Sequence, residues 1–394
     1  MKTPIAWRNL THNKRKLLIA VSGVAFAVTL MFQQTGFENA LFDSTVEVVR
    51  KTDCDVVIYN KARFALSSEL RFKRKLLTMV DGLDGVEQVT PLYIDNTIAL
   101  FNAPGSKPRP IRVLGFNLRK KVFESEEIES YLPRLEPKGT AIIDRLSKPE
   151  FGFRFQGSEI VGATEGELLD QDVNLVGTFQ LGRDFAHEGN LIMSDKNFAR
   201  YFSYRGMNHQ ASGLDPLSIV DLGLVKASAG TTPKQLKQSV QALLPAKSVE
   251  VMTRDEFVDR EIAFWSASTP IGIIFKIGAA MGFFVGVIIC YQILATDIAD
   301  HIGELATLKA MGYSDNYFRS LVISESLILS FLGFIPGFLF SLLIFEINAQ
   351  VTGLIMLMTI PRALLVLGLT ILMCLISGLI AMRKLIQADP ASLF

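Results

Sequence analysis

The sequence predicts an α-helical membrane protein with four transmembrane helices and a large α/β domain inserted between the first and the second. Three observations carry that prediction. The chain of 394 residues is 49% hydrophobic but only 20% charged, too apolar for an ordinary soluble domain and too charged for a protein lying wholly in lipid. Its mean hydropathy of +0.32 is unevenly distributed, with four apolar runs reaching the roughly 20 residues a helix needs to cross the hydrocarbon core. A polar stretch, Glu38 to Thr269, separates the first run from the others and is long enough to bury its own core.

The spans follow in order. Residues 1–16 form an amphipathic segment, and residues 17–37 the first span. The basic stretch Lys14-Arg15-Lys16 and the triplet Ala25-Phe26-Ala27 also suit a cleaved signal peptide, but the apolar run continues through Phe32, where a cleavage site should have closed it. The second span is 270–295, with Lys276 close enough to its start to snorkel to the interface. Residues 320–347 form the third, aromatic-rich and interrupted by Pro336, and the uncharged stretch 363–382 the fourth. Glu325 and Glu346 lie near opposite ends of the third span, where reaching for the interface accounts for both. Lys and Arg set the orientation: Lys2, Arg8, Lys14, Arg15, Lys16, Lys309, Arg319, Arg383 and Lys384 fall on one side and only Arg362 in the short connection 348–362 on the other. Both termini, the segment 296–319 and the tail 383–394 are therefore expected in the cytoplasm and residues 38–269 outside.

Within 38–269, residues 38–116 and 216–269 read as an α/β part and 117–215 as an inserted, mostly β subdomain rich in Gly, Pro and Asp. The first strand-helix-strand unit has strands at Cys54 to Tyr59 and Val86 to Ile94 around a helix from Ser67 to Met79, followed by a strand at Ile111 to Phe116. The second has Ser218 to Val225 and Val249 to Met252 around a helix that Thr232-Pro233 opens. Together they look like a weak internal duplication. Stalk helices bound the domain: Phe37, Leu41 and Val48 extend the first span's periodicity, while Thr253 and Glu256 form a capping box that opens a run through Phe257, Ile262 and Trp265.

Motifs for catalysis are absent. There is no phosphate loop of the form GxxxxGK[ST], no HExxH, no CxxC and no GxSxG. Histidines 12, 187, 209 and 301 are scattered, which argues against a metal site, and cysteines 54, 290 and 374 form no disulfide framework. A net charge of +1 gives no basic excess for nucleic acid.

Mechanism is carried elsewhere. Gly278, Gly282 and Gly286 share one face of the second span and permit close helix approach, while Gly333, Pro336 and Gly337 should kink the third. Between these spans Ile298, Ile302, Leu305, Leu308 and Met311 form the apolar stripe of a short helix starting near Asp297 and Asp300 and ending with Lys309 and Gly312. Its polar face is acidic and suits a cytoplasmic protein better than an anionic bilayer surface.

The run Glu304-Leu305-Ala306-Thr307-Leu308-Lys309-Ala310-Met311-Gly312, followed by Glu325 and by Gly333 to Gly337, resembles the signature of MacB/FtsX-type ABC permeases. Trp7-Arg8-Asn9-Leu10, Gly23 to Phe42, Pro91-Leu92-Tyr93, Asp144 to Ser147 with Phe151-Gly152, and Ala306 to Ser314 are similar to the DevC branch, permeases of heterocyst-envelope glycolipid exporters. That resemblance implies a homodimeric permease in a bacterial inner membrane, surrounded by its lipids, with an α/β porter-like periplasmic domain. It implies a separate cytoplasmic ABC ATPase that binds the ATP and magnesium, with no cofactor on this chain. It also implies a HlyD-like membrane fusion protein, an outer-membrane channel of TolC type, and mechanotransmission of ATP-driven motion to a periplasmic cargo of lipid-like or amphipathic character. Ile302, Glu304, Leu305, Leu308, Lys309 and Gly312 would then couple to the ATPase. His301 stands where many MacB-like members carry Arg. The alternative is an FtsX-like scaffold that activates a cell-wall hydrolase.

Overall fold

The computed structural model describes residues 5–96, 98–184, 187–206, 215–352, 354 and 356–387. The chain divides into a helical unit, Met1–Ala40, Pro270–Val351 and Met356–Phe394, and an α/β unit, Leu41–Thr269 with Thr352–Ile355. Helices α1 (Ile5–His12) and α2 (Lys14–Arg50) open the chain.

The α/β unit begins with β1 (Val56–Asn60), β2 (Phe72–Lys73), α3 (Lys75–Val80) and β3 (Val86–Asp95). Strands β4 (Leu100–Asn102), β5 (Arg109–Pro110) and β6 (Arg112–Phe116) follow, then α4 (Glu126–Tyr131) and β7 (Thr140–Asp144). Next come β8 (Arg154–Gln156), β9 (Glu159–Val161), β10 (Glu165–Leu168), β11 (Gln171–Phe179), β12 (Asn190–Ser194) and α5 (Asp195–Tyr201). The unit closes with β13 (Ile219–Val220), β14 (Leu222–Ala227), α6 (Pro233–Leu243), β15 (Val249–Thr253) and α7 (Arg254–Ser268).

Eleven of these strands form one sheet in the order β15-β1-β14-β3-β6-β12-β7-β11-β10-β4-β5. The first four are antiparallel throughout and interleave the two strand-helix-strand units, the split βαβ arrangement of ferredoxin-like sheets. Strand β3 is long enough to serve two neighbours: its residues up to Leu92 pair with β14, and Tyr93, Ile94 and Asp95 pair with β6. Through β6 the sheet continues into the mostly β part, where β12 runs parallel to β6 and β11 parallel to β7.

Alternating side chains explain why the central strands are buried from end to end. Val56, Ile58, Val113, Ala141, Ile143, Leu191 and Met193 enter one core, and Val57, Tyr59, Leu114, Phe116, Ile142 and Ile192 enter the other. With both sheet faces covered, the middle residues of these strands are apolar in succession rather than at every second position, and polar residues such as Arg112, Asp144 and Asn190 are confined to the strand ends.

Two expectations change here. The helix read at Ser67 to Met79 shrinks to α3, because Phe72 and Lys73 pair with β13 and Asn60 Nδ2 donates to Arg71 O at 2.7 Å, diverting the chain before residue 75. Strands β4 and β5 lie in the 38–116 stretch assigned to the α/β part, yet they pair at the far edge of the sheet next to β10. The mostly β region thus recruits a hairpin from before residue 117, and pairing across such separations leaves no local trace. Residues 207–214, including His209, fall outside the described part.

In the helical unit, α8 (Pro270–Asp300), α9 (Ile302–Ala310), α10 (Asp315–Thr352) and α11 (Ile360–Gln387) follow. Helices α2, α8, α10 and α11 are long and apolar enough to cross a membrane. Small residues set their spacing. A methyl group placed on Gly278 would meet Gln34, one on Gly282 would touch Leu30 and Met31 at 3.5 Å, and one on Gly286 would collide with Met373 and with Ala27. Gly333 packs on Val24, and Gly337 on Val28 and the Ala25 carbonyl. Helix α10 continues unbroken through Pro336. Beside it the Gly337 carbonyl accepts from Ser341 Oγ at 2.7 Å and from Thr29 Oγ1 at 3.3 Å. Glu346 is exposed, but Glu325 is buried. It shares a face with Val322, Ser326 and Leu329 that turns inward, and Val322 and Ser326 lie against Gly378 of α11, so helical phase overrides the interface that sequence position suggested.

Candidate functional site

The segment after the second span differs from its sequence reading in where its helix starts. Asp297 and Asp300 belong to the last turn of α8 instead of opening the next helix, and His301 stands between the two as the N-cap of α9 with φ −102°. Carboxylates at a helix C-terminus oppose the helix dipole, and here each has a compensating neighbour. Lys16 of α2 forms an ion pair with Asp300, and His301 Nδ1 lies 3.8 Å from the Asp297 carboxylate and 2.9 Å from its carbonyl. The imidazole of His12 meets that of His301 edge to face, 6.5 Å between centroids. Two histidines far apart in the chain thereby join one cluster, which spacing along the sequence gave no means of finding.

Helix α9 ends as its glycine predicts. Gly312 takes φ +94°, Tyr313 N donates to Leu308 O at 3.2 Å and Met311 N to Thr307 O at 3.0 Å, the left-handed stop that only glycine adopts without strain. Glu304 and Thr307 are exposed, Ile302, Leu308 and Lys309 half-buried, and Met311 is 64% exposed. Leu305 lies on the same helix, with its side chain outside the described ones. An exposed methionine at the end of a half-covered apolar stripe is a surface suited to a protein partner. Beside α9 a cavity of about 710 Å3 opens among α1, α2 and α8, lined by Leu10, His12, Lys16, Asp297, His301 and Glu304 among others.

The stalk residues gather at α7. Thr253 Oγ1 accepts from Glu256 N, the Glu256 carboxylate accepts from Thr253 N at 3.0 Å, and Lys237 Nζ donates to it at 2.7 Å. The Lys237 hydrogen bond and the Thr253 amide hold this carboxyl below its ordinary range. Phe257 is buried edge to face on Tyr59 at 5.1 Å, and Trp265 Nε1 donates to Glu261 Oε1 at 3.1 Å.

Two buried ionic clusters in the α/β unit were not anticipated. Asp221 receives Arg205 on one oxygen and Arg71 Nε at 3.2 Å on the other, with Arg63 Nη2 at 3.9 Å. Arg63 also donates to the carbonyls of Ala65, Leu66 and Asp221. Asp184 pairs with Arg112 and hydrogen-bonds His187; burial alone would raise its carboxyl, but the Arg112 guanidinium and the His187 hydrogen bonds outweigh burial and hold it low. Asp144, at the end of β7, is a buried hydrogen-bond acceptor. It binds Asn190 Nδ2 and Gly182 N at 2.8 Å, with Leu146 N and Leu181 N also donating, and burial raises its carboxyl against those donors. In the helical unit the Cys290 and Cys374 thiols lie 3.7 Å apart, both free.

Residues 276–390, from the second turns of α8 through α11, match the protein family described as FtsX-like permease C-terminal. Among solved structures, the periplasmic region of MacB from Actinobacillus actinomycetemcomitans is similar at 14% identity and a TM-score of 0.35, over 54% of this chain and 94% of that one. The extracellular domain of the noncanonic ABC-type transporter YknZ from Gram-positive bacteria is similar at 14% identity and a TM-score of 0.32, over 50% and 98% respectively. No curated protein matches the chain.

Proposed function

We propose that this chain is the non-catalytic permease subunit of a tripartite ABC export system, transmitting the motion of a separate cytoplasmic ATPase to an α/β domain on the other side of the membrane. The observation that carries the reading is α9: a nine-residue helix placed directly after a span, stopped by Gly312, and presenting Glu304, Thr307 and Met311 within the stretch that matches an FtsX-like permease. These 394 residues contain no phosphate loop, which supports a reading in which an ATPase outside them holds the nucleotide.

In this reading the chain works as a homodimer in an inner membrane, termini inside, and engages a HlyD-like fusion protein and a TolC-type channel. The stretches that resemble the DevC branch favour a lipid-like or amphipathic cargo. Glu304 and Lys309 supply the polar contacts to the ATPase, and Leu308 with Met311 supplies the apolar ones. His301 replaces a fixed charge with an imidazole folded back on α8.

The test is a mild-detergent purification of the intact chain with identification of co-purifying proteins and an ATPase assay on the eluate. The reading expects an ABC ATPase and a HlyD-like adaptor. It further expects Glu304→Lys and Leu308→Asp to insert normally but to lose at least tenfold in the permease-dependent part of the ATPase rate, since a charge reversed or buried at an interface costs about 2–5 kcal/mol. Recovery of a cell-wall hydrolase in place of the adaptor would move the reading to a signalling scaffold. Unchanged stimulation in both variants would remove α9 from the coupling path.

A further inference from the structure

A feature of the α/β unit that the coupling reading leaves unused is an aromatic cluster at the end of α7. Phe64, at the tip of the loop after β1, is 57% exposed, and its ring lies 5.6 Å from that of Phe264, which in turn meets Trp265 edge to face at 5.4 Å. Exposing a large aromatic to water is unfavourable by a kilocalorie or more per ring, on the order of the area it leaves uncovered.

The loop that presents Phe64 is fixed to α7. Glu261, fully buried, uses one oxygen to accept both Leu66 N at 2.7 Å and Trp265 Nε1 at 3.1 Å. Arg260 donates to the Arg63 carbonyl and lies over the Tyr59 ring at 4.8 Å. Arg63 itself is buried and bonded to the carbonyls of Ala65 and Leu66. Loop, helix and indole therefore move as one body, and a costly buried carboxylate is retained where it pins the loop.

Chain connectivity says what this body meets. Helix α7 ends at Ser268 and the span α8 begins at Pro270. Trp265 to Ser268 rises about 4.5 Å along α7 and the extended Thr269 adds at most about 7 Å before Pro270, so the two are no more than about 12 Å apart. The polar interface of a bilayer extends roughly 5–7 Å beyond the hydrocarbon on each side, and it is where Trp and other amphipathic aromatics concentrate.

We propose that Phe64, with Phe264 and Trp265, forms an anchor seated in the headgroup region of the bilayer leaflet into which α8 inserts, so that the loop at residues 61–70 touches phospholipid rather than another protein. The anchor tethers the α/β unit to the leaflet surface at a point other than its covalent links. This rests on α8 crossing the membrane and not on the export reading.

The chain contains only two tryptophans, Trp7 and Trp265, which makes the test direct. The full-length protein with Trp7→Phe is reconstituted in vesicles of phosphatidylcholine brominated either near the headgroup or deep in the acyl chain, and the emission of Trp265 is read. The same is done with Phe64→Trp added in a Trp7→Phe, Trp265→Phe background, and with Met79→Trp as an exposed control on α3. The anchor expects the indole introduced at position 64 to lose about half its emission to headgroup-proximal bromine, far less to deep bromine, and to resist aqueous iodide. The control at 79 should respond to iodide alone. Should Trp265→Phe fail to fold, the difference between Trp7→Phe with and without Phe64→Trp gives the same reading.

Quenching at position 64 by iodide and not by bromine overturns the anchor. So does protection from both, which would mean a protein surface covers it, and so does equal bromine quenching at 64 and 79, which would mean no localised contact. Absence of bromine quenching at Trp265 itself overturns the anchor as well, whereas α8 as a span is read separately, by deep-bromine quenching of Phe284→Trp, an exposed position of α8, in the Trp7→Phe, Trp265→Phe background.

Discussion

Gly286 and Asp221 are both buried, and the contrast between their surroundings separates the two units of the molecule. Around Gly286 there is nothing polar to satisfy: Ala27 of α2 and Met373 of α11 close on its backbone, because helices in lipid gain little from burying apolar surface and associate where small residues let them pack closely. Around Asp221 three arginines converge in a unit whose core strands are apolar on both faces. Water supplies the driving force there, and the ionic cluster persists because each charge has a partner. One unit is specified by the absence of side chains and the other by their complementarity.

Substitutions that exchange the two logics should separate them. Asp221→Ala leaves Arg63, Arg71 and Arg205 without their carboxylate, and breaking a buried pair in this way costs about 3–5 kcal/mol. In the full-length protein this is expected as a large drop in the urea concentration at which the buried Cys54 thiol becomes reactive, while the helical unit still inserts. Equal reactivity in variant and wild type would mean the cluster is not what holds the sheet ends together.

Gly286→Val is the reciprocal change and is expected to cost about 1–3 kcal/mol through overpacking against Met373 and Ala27, seen as earlier unfolding of the helical unit in rising dodecyl sulfate. Gly282→Ala is its control: the added methyl finds Leu30 and Met31 at ordinary contact distance, and the unfolding curve should not move. If both instead unfold later, the helix propensity gained on replacing glycine, and not the close approach, is being measured.

Thr253→Ala removes one half of the capping box at the start of α7 and is expected to cost about 1 kcal/mol, with Thr253→Ser restoring it. The same thiol assay on Cys54 reads it.

The finest test is pH. Burial raises the Glu261 carboxyl above its ordinary value, against the Leu66 and Trp265 donors. A folded value above the unfolded one means that stability from this group is fully present below the unfolded value, near ~4.3, and is lost as pH rises through the folded value. Wild-type protein should therefore gain resistance to urea as pH falls from neutrality toward that range. Glu261→Gln, which keeps an acceptor for Leu66 N and carries no charge, should show a smaller gain. Asp144, raised for the same reason, contributes in the same direction in both proteins, so the comparison isolates Glu261.

Much of this architecture was legible because it is local. The four apolar runs, the strand at Val86, the Pro-opened α6 with Thr232, the capping box of α7 and the stop at Gly312 each depend on a few adjacent residues, and their chemistry holds in any surroundings. The start of α9 was misplaced because Asp297 and Asp300 look like helix-opening acids until Lys16 is seen to pair with Asp300 from another helix and the His301 cap to fold back on Asp297. The helix at Ser67 failed for the same reason, since partners on β13 and on Asn60 outweighed its periodicity.

By itself, then, the sequence determined which segments are apolar enough to enter a membrane, where α6 and α7 open and α9 stops, and which small residues line a helix face, because each is set by composition and spacing over a turn or two. Only the tertiary structure decided the strand order that interleaves two distant strand-helix-strand units, the transfer of β4 and β5 to the far sheet edge, the three arginines on Asp221, the meeting of His12 with His301, and the fixing of Phe64 beside Phe264. Those outcomes depend on pairings between residues tens to hundreds of positions apart, whose free energy exists only once both partners have been brought together and which therefore leave no periodic mark along the chain.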